Sequence, residues 1–143
     1  ACRIVGAEYD KAETYFLGLV HDVGKIIIFR CLIDAFAEVG GGPRPGGKLF
    51  REMMTEYSLV LSHLAAQEWG LPEEIIVALE QQQSSPESGL ALVLYDANLL
   101  CEINMLVRNS IMTQQEGTQL AICMGPEKST VDKVFNELGD LAG

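Results

Sequence analysis

The chain has 143 residues, 48% of them apolar and 21% charged, with ten Lys and Arg against twenty Asp and Glu for a formal charge of −10. That length fits one domain, and the apolar content excludes a disordered tail. The acidic excess, with no basic cluster, excludes a nucleic-acid binder and disfavours an anionic membrane surface.

No apolar run reads as approaching the ~20 residues that a membrane-spanning helix needs, and no signal-peptide pattern opens the sequence. Beginning on Ala1 rather than Met, it reads as a processed or excised piece of a longer chain. The four cysteines, Cys2, Cys31, Cys101 and Cys123, are widely separated and form no Cys-x-x-Cys pair. They read as reduced core residues of a cytoplasmic protein.

Residues 9–22 carry Ala12, Tyr15, Phe16 and Leu19 at helical spacing. Gly24 interrupts the pattern, which resumes over Lys25–Phe36. The triple isoleucine at 26–28 could open a short strand, but the length of the run and the lack of a strand partner favour a helix. Residues 40–48 read as a glycine- and proline-rich loop. Leu49 to about Trp69 is a long amphipathic helix with Met53 and Met54 in the core and Trp69 as a packing anchor at its end. Gly70 ends it as a C-cap residue, and Pro72 starts a helix that runs to the glutamines at 81–83.

Ser84, Ser85 and Pro86 form a turn before a helix over Leu90–Val107. Thr113 and Glu116 have capping-box spacing ahead of a helix at about 114–124, and Gly125-Pro126 breaks the chain before a last helix from Ser129 to about Leu141. No segment sustains the period-two alternation of a strand. The sequence predicts an all-α bundle of roughly seven helices in a single domain spanning 1–143.

Gly42-Pro-Arg-Pro-Gly46-Gly47-Lys48 imitates the start of a phosphate-binding loop. The chemistry fails: Pro43 and Pro45 have no N–H to donate, Leu49 stands where a magnesium-binding hydroxyl belongs, and a helix rather than a strand leads in.

The informative run is Gly18-Leu-Val-His21-Asp22-Val-Gly24-Lys25, a His-Asp pair between two apolar stretches. An ionised carboxylate in such a setting needs compensation. Asp22 could cap the helix that follows, accepting from the N–H of Gly24 or Lys25, while His21 donates to a backbone carbonyl. Alternatively, imidazole and carboxylate could be adjacent metal ligands. The two residues by themselves leave both open.

This run resembles the signature of the HD superfamily of metal-dependent phosphohydrolases. With a second block, Trp69-Gly70-Leu71-Pro72-Glu73-Glu74-Ile75, it is similar to the HDOD family, the HD-related output domains of bacterial signalling proteins. The resemblance covers roughly residues 1–105 and implies that the helical N-terminal half of the family domain is not part of this sequence.

An active HD site, the resemblance implies, has an upstream His, the His-Asp pair, further histidines and a closing Asp. This chain has two histidines in all. The position expected to hold a His before Trp69 is Ser58, the expected His-His pair is Gln82 and Gln83, and the closing Asp is Asn98. His63 lies about 140° around the helix from Ser58 and reads as a surface residue. Asp96 lies about 200° from Asn98 and is no substitute. Amides are poor partners for an activating divalent ion, and two ligands do not hold one. The expectation is therefore no catalytic residue, no metal and no cofactor. A non-catalytic module remains, acting in the cytoplasm through a protein partner or neighbouring signalling domains, with no nucleic acid and no membrane as partner. The alternatives are a phosphohydrolase completed by upstream sequence and a purely structural oligomerisation domain.

Overall fold

A computed structural model describes residues 1–38, 47–82, 84 and 86–140. The helices are α1 (Cys2–Val5), α2 (Lys11–Val20), α3 (Val23–Glu38), α4 (Lys48–Glu68), α5 (Glu73–Gln81), α6 (Gly89–Arg108), α7 (Gln114–Met124) and α8 (Lys128–Asp140). There is no strand among the described residues. The all-α expectation holds, with seven helices of two turns or more and the single turn α1 in addition. The triple isoleucine lies in α3. The glycine- and proline-rich stretch falls almost wholly at 39–46, outside the described residues.

The helix ends follow from local chemistry. Asp10 caps α2, its Oδ1 accepting from the N–H groups of Ala12 and Glu13 at 2.9 and 3.0 Å. At the end of α4, Gly70 has φ +64°; its N–H donates to the Gln67 carbonyl and that of Leu71 to Ala66. This is the double bond of a Schellman cap, which needs left-handed backbone at Gly70. Pro72 then offers its carbonyl to the N–H groups of Ile75 and Ile76, opening α5. α6 ends in the same kind of cap, except that Ser110, at φ 57°, occupies the left-handed position. The capping box at α7 is present in full: the Glu116 N–H donates to Thr113 Oγ1, and Glu116 Oε2 accepts from the Thr113 N–H at 2.7 Å.

The chain forms two compact units, one of residues 1–18 with 82–143 and one of residues 19–81. In the first, Leu100 and Ile103 of α6, Ala121 of α7 and Val131, Val134 and Phe135 of α8 make a buried cluster, with Ile4 and Val5 of α1 packed on it. α6 is, against expectation, long and apolar enough by length and composition to cross a membrane. It packs against α1, α7 and α8, and seven of its side chains are buried. In the second unit α4 packs against both α3 and α5. Its core is made by Ile28 and Leu32 of α3, Ser58, Ser62, Ala65 and Ala66 of α4, and Ile75, Ala78 and Leu79 of α5.

Several burial expectations are corrected. Trp69, expected to anchor packing at the helix end, is 56% exposed. Met53 and Met54 are half-buried. Of the cysteines, Cys2 is buried and Cys101 half-buried, and burial raises the pKa of each thiol, whereas Cys31 and Cys123 are exposed.

Three outcomes follow from the helix ends. Thr113→Ala should cost about 1 kcal/mol in urea unfolding. The bonds from the Thr113 backbone and hydroxyl lower the Glu116 carboxyl pKa, so the stabilisation it gives is complete above the ordinary glutamate range and is lost as pH falls through the lowered value. The melting-point gap between the parent and Glu116→Gln should accordingly be present at pH 7 and close as the solution is acidified. Ser110→Gly should stabilise by about 0.5–1 kcal/mol, the left-handed strain relieved less the entropy that glycine adds to the unfolded chain.

Candidate functional site

The site is built where α3 meets α4. His21 and Asp22 form the turn between α2 and α3, and Gly24 lies in the first turn of α3. A Cβ on Gly24 would collide with the Ser58 carbonyl group and lie 2.8 Å from the Ser62 nitrogen. Only glycine allows the two backbones to come this close. Gly24 is thus part of the helix rather than the break expected from the hydropathy pattern; the break falls one turn earlier, at His21-Asp22.

The same approach changes the cap. The Gly24 N–H donates to Ser62 Oγ on α4 at 2.9 Å, and the Lys25 N–H donates to the Asp22 backbone carbonyl. The expectation that the Asp22 side chain caps α3 through these groups is corrected: both have other acceptors. The Asp22 carboxylate instead pairs with Lys25 Nζ at 2.8 Å and lies 3.4 Å from His21 Nε2. Its side chain is 41% exposed, so the pair with Lys25 sits in a solvated setting where such contacts contribute little.

Of the positions drawn from the ligand comparison, the structure brings His21, Asp22, Gly24, Lys25 and Ser58 together. Ser58 is buried with its carbonyl against Gly24. Gln82 and Asn98 belong to the other compact unit, Gln82 buried at its start and Asn98 half-buried on α6; Gln83 lies outside the described residues. Trp69, Gly70, Leu71 and Pro72 form the α4–α5 connection described above. His63 is corrected from a surface residue to a half-buried one, its Nδ1 3.4 Å from the Ile76 carbonyl of α5. Asp96 on α6 has its pKa raised by partial burial. Ser62 was missed from the sequence. The signal was a serine four residues after Ser58, on the same helix face.

Chemically, the unit of residues 19–81 offers the motif one imidazole and one carboxylate, the latter in a solvated ion pair with an ammonium. Among the described residues no three His, Cys, Asp or Glu side chains gather at metal-binding spacing. This donor set does not fit a catalytic divalent ion, which takes at least three protein ligands in the best-known hydrolytic sites.

The protein is helical, with a His-Asp turn seated on a glycine-to-serine helix contact. The family model of the HDOD domain matches residues 1–85, more than half of the chain, and the chain belongs to that family. No curated protein and no solved structure matches it.

The geometry separates the residues that hold the fold from those that do not. Gly24→Ala should destabilise by about 3 kcal/mol in urea denaturation, because backbone must move to admit the methyl group. Ser62→Ala should cost about 1–3 kcal/mol by leaving the buried Gly24 N–H without its acceptor. Asp22→Ala should stay within about 0.5 kcal/mol of the parent. At Asp96, burial penalises the charged form, so Asp96→Asn should raise the melting point near neutral pH. That gain should fade as acid neutralises the parent carboxyl, since its folded pKa lies above the ordinary one.

Proposed function

We propose that this chain is a non-catalytic signal-transduction module of bacterial type, working in the cytoplasm through a protein partner or neighbouring signalling domains on a scaffold that has lost its metal. The observation that carries the reading is the composition of the His21-Asp22 neighbourhood. One imidazole and one carboxylate remain, the carboxylate is paired with Lys25, and the α4 position that would supply a further imidazole is the buried Ser58. A hydroxyl on a packed helix face and an ammonium beside the carboxylate both disfavour a divalent ion, the first by weak donation and the second by like charge.

The apolar surface is consistent with a partner. Tyr57, Val60 and Leu64 lie along one side of α4 and are each half exposed or more. Exposed apolar patches of this kind mark contact surfaces more often than single exposed residues do.

The opposing reading is a metal-dependent phosphohydrolase acting on a nucleotide or phosphodiester. What favours it is that His21 and Asp22 are neighbours with partly exposed side chains, accessible to a ligand. Metal analysis of the full-length protein, purified without chelators, separates the two. The proposal expects iron, manganese and zinc well below one per chain and no hydrolysis of a generic phosphodiester. Near-stoichiometric metal, with hydrolysis that His21→Ala abolishes while the melting point is unchanged, would overturn it.

A further inference from the structure

We draw no further inference here: the strongest candidate, the exposed apolar stripe of Tyr57, Val60 and Leu64 along α4, carries nothing because nothing in the structure shows what covers it.

Discussion

The close approach of α3 to α4 at Gly24 is the constraint on which the site depends. Backbone meets backbone there, with the Ser58 carbonyl occupying the space a side chain would need and Ser62 Oγ taking the buried Gly24 N–H. The contact fixes where α3 begins, and therefore where the turn before it presents His21 and Asp22. It also fixes the side chains that α4 can carry opposite, since a face pressed against another backbone accommodates only small groups. Ser58 and Ser62, both buried, sit at that approach.

The same contact decides what Asp22 does. A capping aspartate would have given the motif a purely structural role. Ser62 reaches across from α4 and does that work instead, leaving Asp22 in a solvated ion pair with Lys25. The fold makes strong demands on Gly24 and Ser62 and weak ones on the Asp22 carboxylate. Asp22 is thus not held in place by a capping role.

The helices were legible in the sequence because their signals are local: apolar spacing, the Thr113–Glu116 box, and Gly70 before Pro72. The identity of the core was not. On α4 the apolar stripe that spacing picks out includes Leu49, Tyr57, Val60 and Leu64, and these are exposed. The packed side proves to be the one with serines and alanines, whereas Tyr57, Val60, Leu64 and Trp69 stay exposed. Hydropathy ranks serine as a surface residue, and only the distance between two backbones explains two buried ones. His63 was misjudged for the same reason: its place on the helix wheel put it among polar residues, but α5 passes close enough for its ring to meet the Ile76 carbonyl. The positions drawn from the ligand comparison were legible only as absences. The structure adds that Ser58 does lie beside the motif, and that Gln82 and Asn98 fall in the other compact unit.

The placement of Ser58 bears on how reversible a loss of chemistry would be. If an imidazole once stood there, putting it back is more than an exchange of donors. The residue is 5% exposed, and its own carbonyl is already in contact with α3. Adding a ring to a packed interface of small groups forces neighbours aside, at a typical cost of about 1–3 kcal/mol. Lys25 would have to release Asp22 as well, because an ammonium and a divalent ion compete for the same carboxylate oxygens. A single Ser58→His change would therefore disturb the α3–α4 contact as well as add a donor.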